Sequence, residues 1–120
     1  MACTGGYVLV VEDDACIRDS VASVLDDFGH AVKTMVHGRA ALDFLREAPP
    51  PAVILLDLMM PVMDGAEFLA RKLRRPMLAA VPVYLMTASA PANFDLRGIE
   101  SVLRKPFAID ELLAIVQRHC

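Results

Sequence analysis

Runs of consecutive apolar residues alternate along the chain with segments in which apolar residues recur every three or four positions. Short apolar runs rich in β-branched residues predict buried strands, and the three-to-four spacing predicts amphipathic helices. Strands are predicted at residues 7–11, 31–36, 52–56, 81–86 and 101–104. Strands that alternate with helices in this way are typical of an α/β domain with a parallel sheet.

Amphipathic segments follow the predicted strands. The first carries apolar residues at helical spacing from Ile17 to Phe28 and ends at Gly29, a residue that commonly terminates helices. Further helices are predicted at residues 39–47, 66–75 and 109–118. Between the last two strands Pro91 and Gly98 interrupt a segment with little apolar periodicity, so the helix expected there is short or frayed.

The polarity of the strands predicts their order, since a parallel sheet buries both faces of its central strands and leaves its edges partly solvated. The second strand contains Lys33 and Thr34, and the fifth contains Ser101 and Arg104, so these two strands belong at the edges. A doubly wound, five-stranded parallel sheet of order 2-1-3-4-5 satisfies this requirement. Ligands of such sheets bind beyond the carboxyl ends of the strands where the winding reverses, here between strands one and three.

Composition narrows the class of protein. The 120 residues leave room for one domain, and 56% hydrophobic with 22% charged residues excludes intrinsic disorder. A net charge of −3 argues against nucleic-acid binding. Residues 76–94 are uncharged, but their prolines would break a membrane-spanning helix, so no membrane segment is predicted. Because no signal peptide is visible and the three cysteines have no paired spacing, the expected location is the cytoplasm.

Several polar residues have simple structural explanations. The histidines lack the spacing of metal ligands and are expected to be solvated; they are His30, His37 and His119. The basic run within residues 71–75 is expected to complement the C-terminal end of the third helix, with docking of an acidic partner as the alternative. Asp14 is expected to cap the first helix.

Acidic residues stand at the predicted ends of strands one and three. Glu12 and Asp13 follow the first strand and Asp57 follows the third, so the three carboxylates are expected to converge. A divalent cation would relieve their repulsion, and Mg²⁺ prefers oxygen ligands of this kind. Asp57 is then a candidate nucleophile that forms an acyl phosphate. Thr87 and Lys105, at the ends of strands four and five, are candidate partners of phosphoryl oxygens.

Four segments at these strand ends resemble the receiver domains of two-component response regulators. They are LVVEDD at 9–14, LDLMMPVMDG at 56–65, MTA at 86–88 and RKPF at 104–107. The resemblance covers the whole chain and implies a flavodoxin-like (βα)5 fold, with residues 1–120 forming a single receiver domain and no output domain. It also implies that a histidine kinase or histidine phosphotransfer protein phosphorylates Asp57 and that the phosphorylated domain acts on a downstream protein target.

The resemblance further implies the metal ligands. Mg²⁺ would be held by Asp13, Asp57 and the main-chain carbonyl of Met59, with help from Glu12. Hydrolysis of the acyl phosphate requires an in-line water, and the resemblance places Met59 and Ser89 beside its path. Met59 offers bulk and no strong hydrogen bond to orient that water, so a slow loss of the phosphoryl group is expected.

For the switch, the resemblance makes Thr87 the switch hydroxyl and Lys105 the partner of the phosphoryl group, and it implies a cis peptide between Lys105 and Pro106. Val102 stands where many receivers carry an aromatic residue that turns inward on activation. A valine has few rotamers, so that coupling is not expected here. The expected signal is instead a change in order within residues 88–98, with Thr87 as its origin.

Two alternatives belong to other functional classes. A degenerate receiver would keep the fold and act as a constitutive protein-interaction module without phosphorylation. An aspartyl-nucleophile phosphatase usually needs a second acid two residues after the nucleophile, and that position here is Met59.

Overall fold

The computed structural model describes residues 6–88 and 99–119. Its strands form one parallel sheet of order β2-β1-β3-β4-β5, as the strand polarity predicted. The strands are β1 (Val8–Val11), β2 (Val32–Met35), β3 (Val53–Asp57), β4 (Val83–Thr87) and β5 (Ser101–Arg104). All residues of β1, β3 and β4 are buried, whereas exposed residues occur in both edge strands.

The helices described are α1 (Ala15–Asp27), α2 (Gly38–Leu45), α3 (Gly65–Leu73), α4 (Pro76–Ala79) and α5 (Ile109–Arg118). The bounds of α5 agree with the sequence prediction, and α2 and α3 begin one residue earlier and end two residues earlier than predicted. The one-turn helix α4 was not predicted. Pro76 forces Arg75 into an extended conformation (φ −102°, ψ 114°), which separates α3 from the new turn.

Two apolar cores lie on opposite faces of the sheet because successive strand residues point to opposite sides. On one face Leu9 and Val11 pack with buried residues of α2 and α3. On the other face Val8 and Val10 pack with buried residues of α1 and α5. The two layers of helices cover both faces of the sheet. The ends of the strands remain accessible.

Two polar residues, His30 and Lys72, are buried inside the domain. His30 was expected to be solvated, but it is only 2% exposed, because its amide donates to the Leu25 carbonyl (3.0 Å) and draws it against the end of α1. Lys72 stands in the last turn of α3, as predicted for the basic run, but it is fully buried, and its Nζ donates to the Ala79 carbonyl of α4 (3.1 Å). The burial of both side chains depends on contacts that form only in the folded chain.

The other two histidines are half-buried and hydrogen-bonded. Nδ1 of His37 accepts from the Ala40 amide and caps α2, and His119 bonds the hydroxyl of Tyr84 (2.7 Å). Among the described helices, none is long and apolar enough to cross a membrane. The change in order predicted for residues 88–98 concerns a segment that, apart from Ala88, lies outside the described residues.

Candidate functional site

Three carboxylates meet at the carboxyl ends of β1 and β3. Glu12 follows β1 directly and is fully buried, Asp57 is the last residue of β3 and is 6% exposed, and Asp13 is exposed. One carboxylate oxygen from each of these residues lies within 4.8 Å of the other two. The predicted convergence of the acids is therefore confirmed.

The Glu12 side chain is held from two sides. Its Oε1 accepts from Lys105 Nζ (2.5 Å), and its Oε2 accepts from the amide of Asp14 (3.3 Å). Asp14 in turn caps α1, since its Oδ1 accepts from the amides of Cys16 and Ile17, as predicted. The start of α1 thus fixes the direction of the acidic residues that precede it.

Among the described residues, Lys105 is the only one with a cationic side-chain atom within 4.0 Å of these carboxylates. Its Nζ lies 3.5 Å from Asp57 Oδ1 as well as against Glu12. The Lys105 amide donates to the Thr87 carbonyl (2.8 Å), which extends the pairing of β4 and β5 by one residue. The peptide between Lys105 and Pro106 is cis, as the resemblance implied.

The electrostatics of this cluster are unfavourable for a charged Asp57. Its pKa is raised from 3.8 to about 7, first by burial and then by its hydrogen bond to Glu12 and by the negative charge of Glu12. Lys105 opposes this effect and lowers the pKa, but does not cancel it. One ammonium group does not neutralise three clustered carboxylates, so an additional cation among the carboxylate oxygens would stabilise the charged form of Asp57.

The loop between β3 and α3 is held close to Asp57. The amide of Gly65 donates to the Leu58 carbonyl (2.9 Å), and a Cβ at Gly65 would lie 2.8 Å from the Asp57 carbonyl oxygen, so a larger residue there would displace the loop. Val62 has φ 66°, and the Met63 amide donates to the Pro61 carbonyl (2.7 Å), which closes a γ-turn around Val62. A β-branched residue gives no sequence signal for this left-handed conformation.

Six of the predicted site residues line one open cavity of about 510 Å³. Thr87 is buried at its wall, and Met59 is exposed at its rim. Val102 does not reach this cavity and packs instead, half-buried, against the core on the α2 and α3 side. Ser89 lies outside the described residues. The structure thus brings together Glu12, Asp13, Asp57, Met59, Thr87 and Lys105.

One residue at this site was missed by the sequence analysis. Arg18, in the first turns of α1, donates from Nη1 to the main-chain carbonyls of Glu12 (3.0 Å) and Asp13 (3.3 Å). An arginine within a helix carries no sequence signal for a contact with the preceding loop, because its long side chain can point in several directions.

The sequence of this chain is similar to those of known response regulators. The profile of the response regulator receiver domain matches residues 8–117. The alkaline phosphatase synthesis transcriptional regulatory protein SphR of Synechococcus elongatus is 38% identical, and the match covers 89% of this chain and 46% of that protein. The chain spans about half the length of the curated relatives that it matches.

Two solved structures extend the comparison to the fold. Chemotaxis protein CheY4 of Vibrio cholerae is 32% identical with a TM-score of 0.86, and the match covers 96% of this chain and 98% of that one. The receiver domain of sensor histidine kinase PA1611 from Pseudomonas aeruginosa is 27% identical with a TM-score of 0.85 and coverage of 97% and 98%, and it holds a magnesium ion in its active-site cleft.

Proposed function

The chain belongs to the response regulator receiver domain family, and from that membership we propose that Asp57 accepts a phosphoryl group from a phosphohistidine of a histidine kinase or histidine phosphotransfer protein. The observation that carries this proposal is the meeting of three carboxylates and the Lys105 ammonium at one strand edge. Carboxylates that are clustered and partly buried repel one another, and such an unfavourable arrangement is more typical of a reactive site than of a purely structural one.

The donor set fits a hard divalent cation. Glu12, Asp13 and Asp57 offer carboxylate oxygens within 4.8 Å of one another, and hard cations such as Mg²⁺ are held by one or two such groups together with phosphate oxygens. Asp13 and Asp57 would hold Mg²⁺, together with the Met59 carbonyl, and Glu12 would assist. When bound, the ion would supply positive charge that shields the phosphoryl donor from these acids.

In the transfer step, a carboxylate oxygen of Asp57 attacks phosphorus in line with the phosphohistidine nitrogen. The new P–O bond forms as the P–N bond breaks, and the electron pair of that bond returns to the departing imidazole. Lys105 is already beside Asp57, so its Nζ can pair with a phosphoryl oxygen as negative charge moves onto the site. Thr87, at the end of β4, would donate its hydroxyl to another phosphoryl oxygen.

We further propose that residues 1–120 act as one receiver domain whose only chemistry is its own phosphorylation and dephosphorylation. The phosphorylated form changes a surface that a downstream protein recognises. Val102 is packed and half-buried, which favours a switch that starts at Thr87 and does not depend on an aromatic residue at position 102.

Acetyl phosphate tests this proposal without the cognate kinase. The protein is incubated with acetyl phosphate and Mg²⁺, and its intact mass is measured. A single adduct of about 80 Da, absent when EDTA replaces Mg²⁺ and absent from Asp57→Asn, is expected. No adduct in any condition would favour a constitutive interaction module, and steady turnover of a phosphate ester would favour an aspartyl-nucleophile phosphatase.

A further inference from the structure

Arg18 contacts the site through the main chain. Its half-buried side chain places Nη1 3.0 Å from the carbonyl oxygen of Glu12 and 3.3 Å from that of Asp13. These two residues carry two of the three carboxylates of the site. The guanidinium therefore bonds the acidic segment without occupying a side-chain oxygen that a cation would need.

The two carbonyls belong to the peptide groups on either side of the Asp13 Cα atom. Glu12 lies beyond the end of β1, and although its amide donates to the Met35 carbonyl of β2 (3.0 Å), no amide of β2 or β3 donates to the carbonyl of Glu12 or Asp13. Fixing both peptide planes fixes the direction in which the Asp13 side chain leaves the main chain. Asp13 itself is exposed, so little packing is available to set that direction.

We propose that Arg18 is a positioning residue that orients Asp13 and Glu12 for the divalent cation and so sets the affinity of the site for Mg²⁺. The inference rests on the proposed function, since that function requires the cation. Arg18 touches neither the cation nor the phosphoryl group in this role. Its contribution is the geometry of the acidic segment, comparable to the outer contacts that orient metal ligands in other proteins.

The effect of charge alone has the opposite sign. Arg18 is positively charged, so if it acted only through its field it would repel Mg²⁺, and its removal would tighten binding. Loss of the two main-chain hydrogen bonds would instead loosen the acidic segment and weaken binding. The direction of the change in Mg²⁺ affinity therefore separates the two explanations.

The test is isothermal titration of the metal-free protein with MgCl₂. Arg18→Met keeps the length and apolar stem but removes the donors and the charge, and its Kd for Mg²⁺ is expected to rise about tenfold, at the low end of the range for outer contacts of metal ligands. Arg118→Met is the matched control. It removes the same charge from the exposed last residue of α5 and should leave the Kd within about twofold of the wild type, the size expected for a screened surface charge.

A second variant and a second readout keep the test independent of folding. Arg18→Lys retains the charge and a donor on a shorter side chain, so it should recover part of the affinity lost in Arg18→Met. In the metal-free protein, the amide NMR resonances of Asp13 and Asp14 should move in both Arg18 variants. If Arg18→Met does not fold, a Kd for Arg18→Lys equal to that of the wild type would overturn the proposal.

The outcomes are distinct. If wild type binds Mg²⁺ and Arg18→Met binds it equally well or more tightly, Arg18 is not a positioning residue and the proposed function is unaffected. If wild type itself takes up no Mg²⁺ and no phosphoryl group, the proposed function fails. A weaker affinity in Arg18→Met with unchanged affinity in Arg118→Met supports the inference.

Discussion

Replacing Asp57 with asparagine is expected to stabilise the metal-free protein while it abolishes phosphorylation. The wild-type carboxylate is buried beside Glu12, and its pKa is raised to about 7, mainly by burial. The folded protein therefore binds the Asp57 proton more tightly than the unfolded chain does. Stability is lost as the pH rises from about 4 to about 7, because the folded state must then carry a charge that the unfolded chain carries without cost.

The size of the effect follows from the pKa. The difference between 3.8 and about 7 corresponds to roughly 4 kcal/mol at pH 8. Asp13 is exposed, so the cluster opens to solvent on one side, and screening reduces the expected gain in Asp57→Asn to about 2 kcal/mol. For a chain of this size that gain corresponds to an increase in Tm of roughly 8 °C. The gain should shrink towards pH 5, where the wild-type carboxyl is largely protonated when folded.

The assay is urea and thermal unfolding in EDTA at pH 8 and pH 5. Asp19→Asn is the matched control, because it removes an exposed carboxylate of α1 and should change stability by less than about 0.5 kcal/mol at either pH. Addition of Mg²⁺ at ten times its Kd should stabilise wild type by about 1.4 kcal/mol and Asp57→Asn by much less. An Asp57→Asn variant that is no more stable than wild type at pH 8, or equally stabilised at both pH values, would refute the electrostatic reasoning.

Three further predictions concern residues around the site and the core. Val62→Gly should stabilise the protein by about 1 kcal/mol in urea unfolding, because glycine adopts a φ of 66° without strain. Val36→Gly is the control, at an exposed position without a positive φ, and should destabilise the protein by a similar amount. A loss of stability in both variants would contradict the assignment of strain to Val62. Burial lowers the pKa of His30, so the folded protein loses stability as the pH falls below 6.5. Between pH 7 and pH 5, His30→Leu should therefore lose less stability than wild type. Equal losses of stability in the two proteins would contradict this role of His30. Met59→Asn should shorten the lifetime of the phosphorylated protein, followed as decay of the mass adduct, because an amide at this exposed rim can orient the attacking water; equal decay would exclude a role for Met59.

The sequence was sufficient for the topology and for the main acids of the site. Lys33 and Thr34 made β2 an edge strand, and the reversal of winding then placed Glu12 and Asp57 at one edge of the sheet. These predictions succeeded because they depend on backbone direction and strand polarity, which the pattern of apolar residues carries. Asp14 was also predicted correctly, since capping is a local interaction.

The features that were missed depend on long side chains and on contacts between distant elements. The ammonium of Lys72 is buried because the unpredicted helix α4 offers it the Ala79 carbonyl. Neither ring nitrogen of His30 has a hydrogen-bond partner among the described residues. Because buried polar groups are normally hydrogen-bonded, the sequence gives no reason to expect this residue inside the domain. The contact of Arg18 with the acidic segment is likewise a matter of rotamer choice in the folded protein.

The most direct test of the central claim is to locate the phosphoryl group. After incubation with acetyl phosphate and Mg²⁺, the protein is treated with borohydride, which reduces an aspartyl phosphate to homoserine, and then digested and sequenced by mass spectrometry. Homoserine is expected at position 57 alone, and no reduced residue is expected in Asp57→Asn. Reduction at Asp13 or Glu12 instead, or an unmodified Asp57 in a protein that carries the adduct, would contradict the assignment of Asp57 as the phosphoacceptor.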